Sequence, residues 1–125
     1  MTAFILFTMI FLHVLDDYYF QGCLANLKQK KYWEALPGYT EKYKNDYIVA
    51  LLMHSFEWAF MIMLPLIVYH SFNINFTVFI SYFILNVLIH AFVDNEKANK
   101  FTINLIQDQT VHIIQIFFTF IALIN

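Results

Sequence analysis

The sequence has no arginine, a single cysteine and few charged residues, and each shortage excludes a class of protein. Because Cys23 is the only cysteine among 125 residues, an internal disulfide and a metal site built from several thiolates are both excluded. Seven lysines are offset by nine acidic residues, which gives a net charge of −2, so we expect no nucleic-acid surface. Only 13% of the residues are charged, well below the usage of soluble globular proteins.

Apolar residues are abundant: 61% of the chain is hydrophobic and the mean hydropathy is +0.61. A helix needs about 20 apolar residues to cross the hydrocarbon core of a membrane. Four stretches of this kind occur, at 2–22, 47–70, 74–94 and 101–124. The composition therefore predicts an all-α, polytopic membrane protein, a bundle of four transmembrane helices forming a single domain over residues 1–125.

The long polar connection, residues 23–46, has helical spacing in its first half and a turn at Pro37 and Gly38. Aromatic rings suit the headgroup region of a bilayer, where one side is buried and the other is wet. We therefore predict an interfacial amphipathic segment between the first two spans, anchored by Tyr32, Trp33, Tyr39 and Tyr43.

All seven lysines lie in the first and third connections between spans. Because cytoplasmic loops are enriched in basic residues, both connections are predicted to be cytoplasmic and both termini to lie outside. The lysines are Lys28, Lys30, Lys31, Lys42, Lys44, Lys97 and Lys100.

Histidine and aspartate recur four residues apart inside three of the spans, and the second span adds His54. A spacing of four places both side chains of a pair on one helix face. With the predicted orientation, every pair falls in the cytoplasmic half of the bundle. Ionisable groups at this depth are costly and normally face a bundle interior. The pairs are His13 and Asp17, His90 and Asp94, and Asp108 and His112.

Four imidazoles and three carboxylates suit a divalent metal, with Zn favoured and Mn or Fe as alternatives. The predicted ligands are His13, Asp17, His54, His90, Asp94, Asp108 and His112. This set exceeds the needs of one ion. Either two ions share a bridging carboxylate, or one ion is bound and the other groups support it or act as a general base. The candidate catalytic residues are Asp17, Asp94 and Asp108.

Other polar residues in the spans are predicted to lie outside the ligand set. Asp16 is off the face shared by His13 and Asp17, so we expect it at the interface. Glu57 is one turn beyond His54 and is a candidate partner for it. His70 lies at the opposite end of its span, and Gln115 is a candidate for an interhelical hydrogen bond.

Four motifs along the chain resemble the pattern of a family of small bacterial and bacteriophage membrane proteins catalogued as domain of unknown function 3307. In order, they are "HVLDDYYFQ" followed by Lys28, "LLMHS", "HAFVDNEK" and "DQTVH". The resemblance covers nearly the whole chain. It departs from the family pattern at Asp16, where a small or apolar residue is usual, and at Tyr18, where Phe is commoner. It implies a location in the bacterial inner membrane.

A looser likeness links the same pattern to membrane-bound metal-dependent hydrolases. If the family pattern carries over, four further residues would bind an anionic substrate: Gln21, Lys28, Lys97 and Gln109. The alternative for Lys28 and Lys97 is that they are ordinary cytoplasmic lysines.

The leading expectation is therefore a metal-dependent hydrolase, with its site facing the cytoplasm, acting on a phosphoester of a lipid or of a small metabolite. One alternative is an ion- or proton-handling membrane protein that uses the same groups. Another is a non-catalytic phage accessory membrane protein with a structural metal. The lipid bilayer is the expected partner, and the sequence leaves oligomerisation open.

Overall fold

The computed structural model describes residues 2–125, and every regular element in this range is helical. Helix α1 spans Thr2–Leu15, α2 Leu24–Leu27, α3 Lys30–Glu34, α4 Asp46–Tyr69, α5 Phe76–Asn95 and α6 Leu105–Leu123. A short 3-10 turn, Glu41–Tyr43, precedes α4. The prediction of an all-helical chain is confirmed for the described residues.

Four helical segments are long and apolar enough to cross a membrane: Thr2–Phe20, Glu41–Tyr69, Phe76–Lys100 and Leu105–Leu123. Their number and order agree with the four predicted stretches. The third and fourth begin later than expected, at Phe76 instead of 74 and at Leu105 instead of 101.

Asparagine caps explain the later starts of α5 and α6. The side chain of Asn75 accepts a hydrogen bond from the backbone of Val78 at 3.1 Å. Asn104 and Gln107 form a capping box, in which each side chain accepts a hydrogen bond from the other's backbone N–H at 3.0 Å. The "NLIQ" sequence has the spacing of a capping box, but the predicted fourth span began before it, at residue 101.

The first and third long helices each end in a wider, π-helical turn. Residues Asp16–Phe20 continue α1 and Glu96–Lys100 continue α5. Such turns are rare and are often found at functional sites. Here they carry Asp17 and Lys97, two of the predicted site residues.

Helix α4 lies at the centre of the fold and packs against α1, α5 and α6. Its side chains Trp58, Ile62, Met63 and Leu66 are fully buried together with Met9 of α1. Many large apolar side chains on the outer faces of the long helices are exposed, including Phe4, Phe7, Phe56, Leu88 and Phe118. A fold with an apolar exterior of this kind is compatible with a multi-pass membrane protein.

The connection between α1 and α4 folds back onto the end of α5. The Trp33 indole N–H donates to the carbonyl of Leu27 at 2.7 Å, which joins α3 to α2. The Asn99 amide donates to the carbonyl of Lys28 at 3.1 Å and accepts from the backbone N–H of Lys30 at 2.7 Å. These contacts place Lys28 beside the buried His and Asp side chains.

Candidate metal centre

His54 on α4 and His90 on α5 face each other in the interior of the fold. Their Nε2 atoms are 3.2 Å apart and neither side chain is exposed. Both histidines stand in helix interiors, where neighbouring turns fix the ring directions. The pair brings two of the predicted ligands together from separate helices.

Carboxylates from two other positions surround this pair. The Nε2 atom of His54 lies 3.6 Å from Oδ1 of Asp17 and 3.5 Å from Oδ2 of Asp94. Ligands about 2.0–2.2 Å from a tetrahedral ion are separated from one another by roughly 3.3–3.6 Å. The observed separations match this range, and Asp17, His54 and His90 form one group that could hold a metal ion.

A second group shares His90 with the first and adds Asp94 and His112. The Nε2 atom of His112 lies 3.3 Å from Oδ1 of Asp94 and 3.4 Å from Oδ1 of Asp108. Asp94 therefore faces His54 with one oxygen and His112 with the other. This places Asp94 between the two groups, as a carboxylate that bridges two ions would be.

His13 lies beside these groups with both ring nitrogens already engaged. Its Nδ1 accepts a hydrogen bond from the Trp58 indole N–H at 2.8 Å. Its Nε2, which then carries the proton, donates to Oε1 of Gln109 at 3.1 Å. His13, a predicted metal ligand, is buried beside the centre and is not part of either group.

Trp58 was missed from the sequence although it lies at the centre of the cluster. Its ring stacks on that of His90, with centroids 4.2 Å apart, and is completely buried. The spacing of four between His54 and Trp58 on one helix was the available signal. A buried tryptophan here both packs the centre and directs His13.

Asp16 was predicted to lie at the interface, and this prediction is wrong. Its side chain is fully buried, and its Oδ2 lies 3.9 Å from Nδ1 of His54. The π-helical turn that begins at Asp16 packs against α4, so two consecutive aspartates both face the interior. Histidines that bind a metal commonly direct their second nitrogen to a carboxylate, and Asp16 is placed to do so for His54.

Several buried polar atoms of the centre have no hydrogen-bond partner within the described part of the chain. They are Nδ1 of His54, His90 and His112, Oδ1 of Asp17 and Asp108, and both oxygens of Asp16. Burying an unpaired polar atom costs about 1–3 kcal/mol. Buried imidazoles and carboxylates at ligand spacing, with free lone pairs, fit a metal ion.

A polar cavity of about 290 Å³ adjoins the two groups. The predicted substrate-binding residues all line it, together with Asp17, Tyr18, Asp94 and Leu105. Lys28 Nζ donates to Oδ2 of Asp94 at 2.5 Å, and Lys97 Nζ to Oδ2 of Asp108 at 2.7 Å. The structure thus brings Gln21, Lys28, Lys97 and Gln109 together at the centre.

The remaining polar residues lie apart from it. Glu57 is half-buried and, among the described residues, makes no hydrogen bond with His54. His70 is at the opposite end of α4 and donates to the carbonyl of Leu123 at 2.8 Å.

The interhelical hydrogen bond predicted for Gln115 is confirmed, and it belongs to a polar cluster that the sequence did not reveal. Gln115 donates to both the carbonyl and the side-chain oxygen of Asn86 at 2.8 Å. Asn86 donates in turn to Thr119 at 2.9 Å. Asn86 lies one turn before His90 on α5, so buried polar groups continue beyond the metal centre.

Comparisons with family models, with curated proteins and with solved structures gave no match. The resemblance to domain of unknown function 3307 therefore stays a prediction. The geometry of the centre carries the functional inference.

Proposed function

We propose that this chain is a metal-dependent hydrolase that holds one or two divalent ions between membrane-spanning helices. The observation that carries the proposal is the convergence of two groups, Asp17 with His54 and His90, and His90 with Asp94 and His112. The helices that deliver these residues are distant in sequence. Zn is the ion that the nitrogen and oxygen donors suit best, with Mn and Fe as alternatives.

The formal charge of the centre supports a bound cation. Four aspartates, Asp16, Asp17, Asp94 and Asp108, lie in or beside it, and the lysines that pair with them among the described residues are Lys28 and Lys97. With the neighbouring histidines neutral, as metal ligands are, ionised aspartates would leave an excess of two negative charges in a buried environment, where unpaired charge is costly. One divalent ion would neutralise this excess. A second ion would make the net charge of the centre positive, which favours an anionic substrate.

A bound divalent ion supplies Lewis acidity to the substrate oxygen and acidity to a water molecule. Asp94 contacts His54 with one oxygen and His112 with the other, so it holds these two side chains in place. Asp17 borders the cavity, and its Oδ1 has no hydrogen-bond donor within the described part of the chain. When a single ion is held by His90, Asp94 and His112, this oxygen is not a ligand and would accept the proton that the attacking water loses. Asp108 is held by Lys97 and by the Gln109 amide, which donates to Oδ2 at 3.0 Å.

The cavity favours a phosphoester as substrate. Lys28 and Lys97 each have three N–H donors, and one ion pair with an aspartate leaves donors for phosphate oxygens. The Gln109 amide also donates to Oδ2 of Asp17 at 3.1 Å, which places its side chain across the cavity. Gln21 lines the cavity with a buried Oε1 that has no partner among the described residues and can accept a hydrogen bond from a hydroxyl group of the substrate.

We further propose that the four helices form a transmembrane bundle in a bacterial inner membrane, as the family resemblance implies. Residues 23–46 lie on the cytoplasmic surface and both termini lie outside, because the lysines are confined to two connections. Labelling of the single cysteine, Cys23, which is exposed, tests this orientation. A membrane-impermeant thiol reagent should label it in inverted vesicles and not in right-side-out cells.

Elemental analysis of the detergent-purified protein tests the metal centre. The parent and a His70→Ala control should contain stoichiometric metal, and Asp94→Asn and His112→Ala should contain much less. A panel of phospholipids and soluble phosphate esters then tests hydrolysis. A folded parent protein that binds no metal after loading overturns the proposal. Metal without any hydrolysis, with ligand variants that unfold, would instead indicate an accessory protein with a structural metal.

The Asn86 cluster favours a second candidate, an ion- or proton-handling protein. Asn86, Gln115 and Thr119 extend the buried polar groups from His90 and His112 toward the other half of the fold. Proton or metal flux into liposomes that is lost in both Asp94→Asn and Asn86→Leu would support this function. Hydrolysis that persists in Asn86→Leu would favour the hydrolase.

A further inference from the structure

An apolar groove on α6 adjoins the polar cavity at the first turn of that helix. The groove has a volume of about 500 Å³ and is lined on α6 by Ile106, Thr110, Ile113 and Ile114. Its remaining lining residues, Tyr18, Leu105 and Gln109, also line the polar cavity. The two spaces therefore share a wall at the first turn of α6.

The two spaces differ sharply in chemistry. The cavity presents two lysines, two aspartates and two glutamines, whereas isoleucine and leucine dominate the groove. The groove lies along α6, which is apolar enough to cross a membrane, so in a bilayer it would face lipid chains. Its volume is within the range of about 300–1,000 Å³ that is typical of ligand sites.

We infer that the substrate is a membrane phospholipid with a terminal phosphate, whose headgroup enters the polar cavity while an acyl chain lies in the groove. This inference rests on the proposed hydrolase function and selects the lipid over a soluble metabolite. Lys28 and Lys97, each paired with one aspartate, have further N–H groups that can donate to the phosphate of the headgroup. The groove matches the chain, which a soluble phosphoester lacks.

The reaction is the hydrolysis of a phosphate monoester. The water oxygen forms a bond to phosphorus, and the bond between phosphorus and the glycerol oxygen breaks. Asp17 accepts a proton from the water and returns it to the glycerol oxygen. The products are inorganic phosphate and diacylglycerol, and no oxidant or reductant is needed.

A bulky substitution in the groove distinguishes binding of the acyl chain from binding of the headgroup. Thr110 is exposed on the groove wall, and its hydroxyl bonds only within its own helix, to the carbonyl of Ile106. Thr110→Trp should fill the groove, and Thr110→Phe is a smaller change of the same kind. Thr77→Trp, at an exposed position in the first turn of α5, is the matched control.

Three measurements on each purified protein test the inference. They are retention of phosphatidic acid from phosphatidylcholine nanodiscs, measured by native mass spectrometry, binding of glycerol 3-phosphate, and metal content. We expect Thr110→Trp to weaken phosphatidic acid retention by about tenfold or more, with glycerol 3-phosphate binding and metal content unchanged. Lipid tails are as apolar as the groove, so the weaker retention of phosphatidic acid would result from steric exclusion of its acyl chain and not from a change in polarity.

Equal retention of phosphatidic acid by Thr110→Trp, Thr110→Phe and Thr77→Trp overturns the inference. So does glycerol 3-phosphate binding as tight as that of the lipid. Disulfide-linked dimers of Cys23→Ser/Thr110→Cys would assign the groove to a second copy of the chain and also overturn it. A parent protein without metal that retains phosphatidic acid in a Thr110-dependent manner would contradict the hydrolase and leave lipid binding intact.

Discussion

The Nε2 atoms of His54 and His90 face each other at 3.2 Å in a fully buried space between α4 and α5. Neither ring has a hydrogen-bond partner at Nδ1 among the described residues. Without an ion, the Nε2–H of one ring can donate to the Nε2 of the other. When both rings carry their proton at Nδ1, the two Nε2 lone pairs face each other and can both act as ligands to a cation.

Removal of either histidine should therefore weaken metal binding strongly. We expect His54→Ala and His90→Ala each to lower metal affinity by more than the roughly 10–100-fold typical of residues outside the ligand shell. Titration of the metal-free protein with Zn²⁺ against a chelating dye measures this. His70→Ala, at the far end of α4, is the matched control and should bind like the parent. Parent-like affinity in both His54→Ala and His90→Ala would contradict the centre as described.

Asp16 should act on the metal through His54. Asp16→Asn removes the carboxylate 3.9 Å from Nδ1 of His54 without changing side-chain size. We expect a loss of about 10–100-fold in metal affinity with the fold retained, since this carboxylate orients the ring. Glu41→Gln, which neutralises an exposed carboxylate, is the control. Equal affinities for the two variants would show that Asp16 has no positioning role.

The Trp58 indole N–H should stabilise the fold through His13. Trp58→Phe keeps an aromatic ring against His90 but leaves Nδ1 of His13 buried without a donor. The expected cost in unfolding free energy is about 1–3 kcal/mol. Trp33→Phe loses a comparable hydrogen bond, to the carbonyl of Leu27, in a half-buried position and should cost less. Thermal unfolding in detergent compares them, and equal losses would contradict the prediction.

The Asn86 cluster should behave as one unit. Asn86→Leu removes the side-chain acceptor of the Gln115 amide and the donor to Thr119, while the hydrogen bond from Gln115 to the backbone carbonyl of residue 86 is kept; we expect a destabilisation of about 1–3 kcal/mol. Adding Gln115→Leu should cost less than the sum of the two single changes, because the side-chain hydrogen bond between the two residues is lost only once. Additive losses in a double-mutant cycle would show that the two side chains are not coupled.

The capping box at the start of α6 should matter to the metal centre as well as to the helix. Asn104→Ala should destabilise the first turn by about 0.5–2 kcal/mol, and Asp108 lies in this turn. We expect faster amide exchange at Gln107 and weaker metal binding. Asn75→Ala removes the equivalent cap of α5, far from the centre, and should leave metal binding unchanged. Identical metal affinities for the two variants would count against this coupling.

Most of the candidate site could be predicted from the sequence because its signals are local. Spacings of four in "HVLDD", "HAFVD" and "DQTVH" place side chains on one helix face whatever the helix packs against. Six of the seven predicted ligands belong to these pairs, and His54 is added because of its depth in the second span. The capping box at the start of α6 is also a local pattern, "NLIQ", although the predicted span began before it.

The roles of individual residues at the centre depend on how the helices rotate against one another, which periodicity does not specify. Asp16 is buried because a π-helical turn packs against α4, and both ring nitrogens of the buried His13 are engaged because Trp58 and Gln109 lie beside it. The pairing of Lys28 with Asp94 likewise requires the connection to fold back onto α5. The sequence by itself determined four apolar helices and the faces that carry their polar groups, through local spacing and hydropathy. Only the tertiary structure decided which of those groups meet, because contacts between helices arise from packing between distant segments.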